Sequence, residues 1–294
     1  MLMTNEKIIA SVDQSDHSEG VTDAAVWAAK QLALPVEFLH VLDRHLERAQ
    51  SEDHSGAIGV DAQENLLESL SQEDASKSKM AREQGRLFLS RLRTYAATKG
   101  LDAMDTRQRH GRLLDTLTEL APEARMVVLG RNGESSAAGS KPADVSSTVS
   151  ELIKHLPCPV LLTRQTFTPP QQVLLAFDGH SATRHAVRAV AESQLLSGLP
   201  IHVLMAGRHN NALQRDQQKQ LDWAHEMLAA QGFNVTSARV GGDAAVAIAH
   251  HVRAHAVDLL VMGVGRHSAI RHLLLGSNTA EILRASQLAT LIVR

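Results

Sequence analysis

The residues best suited to chemistry form a glycine-rich run late in the chain. Gly263-Val264-Gly265-Arg266-His267-Ser268 leads on to Gly276-Ser277-Asn278, and a helix, Thr279–Ala285, is expected next. Glycines let backbone approach a ligand and adopt φ > 0. Small residues at a helix start offer free N–H groups and the positive end of the dipole, which suits a phosphate. Arg266 and Arg271 add positive charge. Gly-Ser-Asn is also an ordinary helix cap, so spacing alone leaves both readings open. Two acids end short apolar runs elsewhere: Asp13 after Ile8–Val12 and Asp178 after Val173–Phe177.

Other reactive residues read more plainly. His251 and His255 stand at i, i+4 on an expected helix, Ala244–His255, the spacing of two metal ligands. His250, the third histidine nearby, should point about 100° away around the helix. The apolar face Ala245, Ile248, Ala249 and Val252 already explains the helix's packing, so no metal site is expected. Cys158 lies between two prolines before an apolar strand and reads as a buried, inert thiol. His17 and His180 follow the strand-end acids and read as exposed approaches to helices. There is no Gly-x-Ser-x-Gly elbow and no lysine-bearing phosphate loop, so no catalytic constellation is expected. Gly241-Gly242-Asp243 reads as a turn and cap.

The elements that position these residues come from an internal repeat. Lys7–Asp13 matches Gln172–Asp178 at an offset of 165, as Pro35–Leu39 matches Pro200–Leu204. Met126–Gly130 matches Leu259–Gly263 at an offset of 133, and Ser147–Arg164 matches Ser277–Arg294 at 130. The first copy therefore carries an insertion near 44–80, polar enough to be a surface excursion, with a short amphipathic helix over Asn65–Leu70. Pro169-Pro170 makes a stiff connector between domains at 1–166 and 172–294.

Each copy reads β-α-β-α-β-α-β-α-β. Thr22–Leu34 and Thr183–Leu196 carry alanine and valine at helical spacing, and Gly100 and Gly232 stop the helices Leu87–Lys99 and Leu221–Gln231. Strands alternating with helices predict an α/β fold: two tandem doubly wound domains, each a five-stranded parallel sheet flanked by helices. In such sheets ligands sit beyond the carboxyl ends of strands, where the strand order reverses. The last strands, Val160–Thr163 and Leu288–Val293, are apolar repeat ends that need cover, so the domains should meet there as a pseudo-twofold pair.

Composition narrows the function. Thirty Lys+Arg against 32 Asp+Glu give a net charge of −2, and aromatics are 3%, which argues against a nucleic-acid partner. A single cysteine suits a reducing compartment. No run approaches the ~20 apolar residues of a membrane span, so a cytoplasmic protein with no membrane partner is expected.

The motifs carry a resemblance. Gly263-x-x-Arg266, nine residues, then Gly276-Ser277 resembles the nucleotide loop of the universal stress protein family, Gly-x-x-Gly, nine residues, Gly-Ser/Thr. Asp178, the pair Met262-Gly263 and the closing strand Leu288–Val293 fit too, as do Asp13, Leu129-Gly130 and Leu156–Leu162 in the first copy. The resemblance covers nearly the whole chain as two tandem copies of this fold, which is adenine nucleotide α-hydrolase-like. It implies ATP or a related adenine nucleotide in the strand-end cleft, Mg with it, and dimer contacts through the last strand, within the chain or in a homodimer. The implied nucleotide residues are Asp178, Met262, Gly263, Gly265, Arg266, Gly276, Ser277 and Asn278, and in the first copy Asp13, Gly130, Gly133 and Ser147.

Two departures matter. Arg266 replaces the second glycine of the motif, either gripping phosphate or filling its place. In the first copy twelve residues separate Gly133 from Ser146-Ser147, where the motif has nine and Gly-Ser. The expectation is a cytoplasmic stress-response protein that binds nucleotide mainly in the second domain. It would act through conformation or partner binding, with ATP hydrolysis slow at most. The alternative is a nucleotide-free scaffold with degenerate clefts. A related nucleotide-hydrolysing enzyme is the third reading, disfavoured because Asp178-Gly179-His180-Ser181 stands where the related pyrophosphatases carry a Gly-Gly loop.

Overall fold

The computed structural model describes residues 6–42, 60–133, 145–207, 214–264 and 288–294. The first repeat runs β1 (Lys7–Ser11), α1 (Ser18–Leu32), β2 (Val36–Leu42), α2 (Val60–Thr98), β3 (Met104–His110), α3 (Leu113–Leu120), β4 (Ala124–Gly130), α4 (Ser147–His155) and β5 (Val160–Thr163). The second runs β6 (Val173–Phe177), α5 (Ser181–Glu192), β7 (Ile201–Gly207), α6 (Gln214–Ala229), β8 (Val235–Gly241), α7 (Ala244–Ala254), β9 (Leu259–Gly263) and β10 (Ala289–Val293). Ten strands form one sheet in the order β3-β2-β1-β4-β5-β10-β9-β6-β7-β8. Neighbours pair in parallel throughout each half. Only β5 and β10 run antiparallel, with Leu291 opposite Leu161.

The inner strands are continuous apolar runs, as a sheet covered on both faces demands. Alternation sends Ile201, Val203 and Met205 of β7 to one face, in an apolar layer that includes α1, α2, α5 and α6 residues from both halves. Leu204 points to the other face, beneath α7, while α3 and α4 cover the corresponding face of the first half. No helix among the described residues is long and apolar enough to cross a membrane.

The two halves meet where the last strands were expected to. Arg131, after β4, is buried and reaches across to the carbonyl of Leu288 and to Thr290 Oγ1 at 3.3 Å. Burial, with the charge of Arg164 beyond it, lowers its pKa to about 10. In return Arg294 donates to the carbonyls of Lys154 and Leu156 at the end of α4, where a cation complements the helix dipole. The connector is docked: Phe167 packs on Trp27, ring centroids 5.6 Å apart, and Asp258 accepts from the N–H groups of Gln171 and Gln172.

Several expectations change. Residues 43–59 of the insertion lie outside the described residues, but Asn65–Leu70 is not a separate short helix. One helix, α2, runs 39 residues to Thr98. Leu89, Leu92 and Ala96 anchor its last turns in the core. Helix α5 ends at Glu192 rather than Leu196, because Ser193 is extended and a short 3₁₀ turn follows. His17 is buried, not exposed. Cys158 is buried as expected, and desolvation pushes its thiol up to about 11.

Candidate functional site

In each half the strand order reverses between the first and fourth strands of the repeat, at β1/β4 and at β6/β9. The crossovers diverge there and leave a crevice at the carboxyl ends. In the first half this is a cleft of about 330 Å³, lined by Asp13, His17, Gly130, Gly133 and Ser146 among others.

The chain after β1 folds on itself to shape this cleft. Asp13 Oδ1 accepts from the N–H of Ser15 at 3.1 Å and from its hydroxyl, while Ser18 Oγ donates to the carbonyls of Asp13 and Ser15. That turn starts α1 and tucks the ring of His17 under the cleft. Burial lowers the pKa of His17; Asp13 and Asp16 oppose this, while Arg131 and Arg164 reinforce it. Gly130 is required by packing, since a Cβ there would lie 2.8 Å from His17 Cβ and 3.0 Å from the Asn132 carbonyl. Gly133 sits against Asp13 Oδ2. Ser146 caps α4, its hydroxyl accepting from Val149 N–H at 3.2 Å. One of the donors a phosphate would need is therefore already taken. Ser147 begins α4 and is exposed, while its neighbours Ser146 and Thr148 line the wall.

In the second half Asp178 holds the equivalent place after β6. Its Oδ1 accepts from Thr183 Oγ1 at 2.7 Å and His180 N–H at 2.9 Å, and His180 Nδ1 lies 3.3 Å away. Its Oδ2 is buried and has no hydrogen-bond partner among the described residues. Gly263 ends β9 hard against α5: a Cβ would strike the Ala182 carbonyl and approach Thr183 Cα to 2.8 Å. Met262 is fully buried in the apolar layer with Leu174 and Leu260, so its side chain is structural. Gly265, Arg266, Arg271, Gly276, Ser277, Asn278 and the expected helix Thr279–Ala285 lie outside the described residues.

A second cluster of functional groups sits at the other end of the sheet. His202, near the start of β7, shares strand parity with Leu204 and so faces α7. Ile248, His251, Val252 and His255 form the helical stripe that meets it. Ring centroids lie 5.3 Å apart for His202–His251, 5.0 Å for His202–His255 and 4.1 Å for His251–His255. Burial, then the charges of His255, His202 and His250, hold His251 down at about 4. His250 is exposed on another face, as its spacing required. Sequence reasoning missed His202 because it is far away along the chain, although strand parity and the helix stripe together point to it. Asp243 does cap α7, accepting from Ala245 and Val246 N–H.

Comparison with known proteins agrees with this architecture. The Universal stress protein family profile matches residues 4–164 and again 170–294. A universal stress protein of Synechocystis sp. is 30% identical over 290 residues, covering 98% of this chain and all of that protein. The crystal structure of a universal stress protein from Archaeoglobus fulgidus superimposes with a TM-score of 0.69 at 15% identity, covering 100% of this chain and 99% of that one. A functionally unknown protein from Pseudomonas aeruginosa does so with a TM-score of 0.58 at 18% identity, covering 98% and 92%. Two repeats, each with an acid after its first strand and a glycine ending its fourth, thus coincide with two matches to one family: the chain belongs to the universal stress protein family.

Proposed function

We propose that this chain is a stress-response protein whose two domains, 1–166 and 172–294, are joined at Pro169-Pro170, and that it binds ATP or a related adenine nucleotide mainly in the second domain. The observation that carries the reading is Asp178. One carboxylate oxygen is fixed by Thr183 and His180, and the other is buried without a partner among the described residues. A buried acceptor left unmatched costs on the order of 1–3 kcal/mol. A ribose hydroxyl is a donor of the right kind to meet it.

The rest of the second cleft fits an anion by sequence. Gly263, Gly265, Gly276 and Ser277 offer backbone N–H groups, Asn278 a side-chain donor, and Arg266 a guanidinium. A bound Mg ion would share the triphosphate's charge. The signal would pass through conformation or partner binding.

A specific observation favours a different role for the first cleft. Ser146 already caps α4, and its side chain would crowd a phosphate where the family has glycine. The first domain then acts as the nucleotide-free scaffold half of the pair.

Mass spectrometry of small molecules released from freshly purified protein tests the reading. An adenine nucleotide approaching one per chain is expected. No released nucleotide, together with no heat on adding ATP, would reject it.

A further inference from the structure

We propose that His202, His251 and His255 form a site for a divalent transition-metal ion, with Zn²⁺ the best match. The three residues come from β7, from the last turn of α7 and from the residue that caps it, and one ring nitrogen from each lies within 4.8 Å of the others. Zinc–histidine bonds of about 2.0–2.1 Å in a tetrahedral shell put ligand nitrogens roughly 3.4 Å apart. The cluster therefore needs to contract by an ångström or so. His255 is exposed and has the freedom to supply that movement.

The bland alternative is three histidines packed as satisfied core groups. It fails at His251, whose Nε2 is buried and has no hydrogen-bond partner among the described residues. Three stacked or edge-on imidazoles also make a poor apolar contact, whereas a shared cation gives each lone pair a partner. The surrounding groups orient the rings. His202 Nε2 lies 3.1 Å from Gln172 Oε1, and in the tautomer that donates to that acceptor Nδ1 keeps its lone pair. Thr236 Oγ1, 2.9 Å from that Nδ1, is a hydroxyl that yields to a metal. The Gln172 contact then serves as the outer-shell hydrogen bond that metal-bound histidines usually make.

Ligand chemistry selects the metal. Three neutral imidazoles suit zinc, copper or nickel, while magnesium and calcium demand oxygen donors. Three protein ligands leave a fourth position for water on the exposed His255 side. The site stands near the amino end of β7, away from the strand-end clefts, so it is independent of nucleotide binding. It ties α7 to β7 and, through Gln172, to the start of β6 beside the domain connector.

The test is a Zn²⁺ titration of the metal-stripped full chain without an affinity tag, in competition with a chromophoric chelator. One ion per chain is expected, and Co²⁺ should give the visible absorption of a tetrahedral nitrogen-rich site. His255→Ala, at an exposed position, should weaken binding by about tenfold or more, as should His251→Ala. His250→Ala, on the neighbouring face, should leave it unchanged. Far-ultraviolet circular dichroism confirms that each variant is folded. Absence of a competitive site, His255→Ala binding as wild type does, or His250→Ala losing as much as His255→Ala would each overturn the proposal.

Discussion

Leu291→Ala should weaken the half of the molecule that does not contain it. Leu291 is 4% exposed in β10 and stands opposite the fully buried Leu161 of β5. Truncation removes three carbons, worth about 2.4 kcal/mol at ~0.8 kcal/mol each. The cavity left in a dense layer brings the cost into the range of roughly 2–5 kcal/mol. The chain supplies two natural probes: Trp27 in α1 of the first half and Trp223 in α6 of the second. Urea unfolding of Trp223→Phe and Trp27→Phe backgrounds follows one half at a time. With an m-value of about 2–3 kcal/mol/M, the midpoint should fall by about 1 M or more. Both probes should report that fall, because the sheet, one apolar layer and the arginines 131 and 294 cross the junction. A Trp27 transition that stays in place while the Trp223 transition moves would refute the coupling.

Three other outcomes follow from specific contacts. Gly263→Ala should destabilise by several kcal/mol in thermal or urea unfolding, since its Cβ meets the backbone of Ala182. Gly207→Ala, whose Cβ would meet Gln217 at an ordinary 3.5 Å among the described residues, should cost far less; equal losses would contradict the close packing at β9. Cys158 should resist thiol reagents in the native protein, and because its folded pKa is raised, stability should drop as pH climbs from about 9 toward about 11. Cys158→Ala should lack that part of the loss, and an unchanged difference across the window would count against the buried thiol. Arg266→Gly should weaken ATP binding, more so at low salt, where charge is least screened; a gain in affinity would mean that Arg266 fills the phosphate's place.

The repeat made most of the architecture legible. Short branched runs ending in Asp13 and Asp178, and in Gly130 and Gly263, locate the strands and their functional ends, because burial on both faces leaves a continuous apolar signature. The apolar last strands likewise indicate the junction, since an unpaired edge of that kind must be covered. The long α2 was not legible: the contacts that hold its end, Leu89, Leu92 and Ala96 in the core and Tyr95 on Asp23 of α1, join it to elements far away along the chain. At the candidate site, residue types are visible in sequence but hydrogen-bond states are not. That Ser146 spends its hydroxyl on Val149, or that Asp178 has one oxygen bonded and one without a partner among the described residues, depends on local backbone geometry. The His202 contact joins residues some fifty positions apart, beyond the reach of local spacing.

The most direct test of nucleotide binding in the second domain is calorimetric titration of ATP into the full chain and two single variants, Asp178→Asn and Asp13→Asn. Asp178→Asn keeps the fold-side contacts to Thr183 and His180 approachable but removes the charge that would receive a ribose hydroxyl. It should lose at least about tenfold in affinity, equivalent to about 1.4 kcal/mol. Asp13→Asn should stay within about twofold of wild type, because the first cleft's helix start is already capped by Ser146. A large loss in Asp13→Asn with Asp178→Asn unchanged would contradict the assignment and move the nucleotide to the first domain.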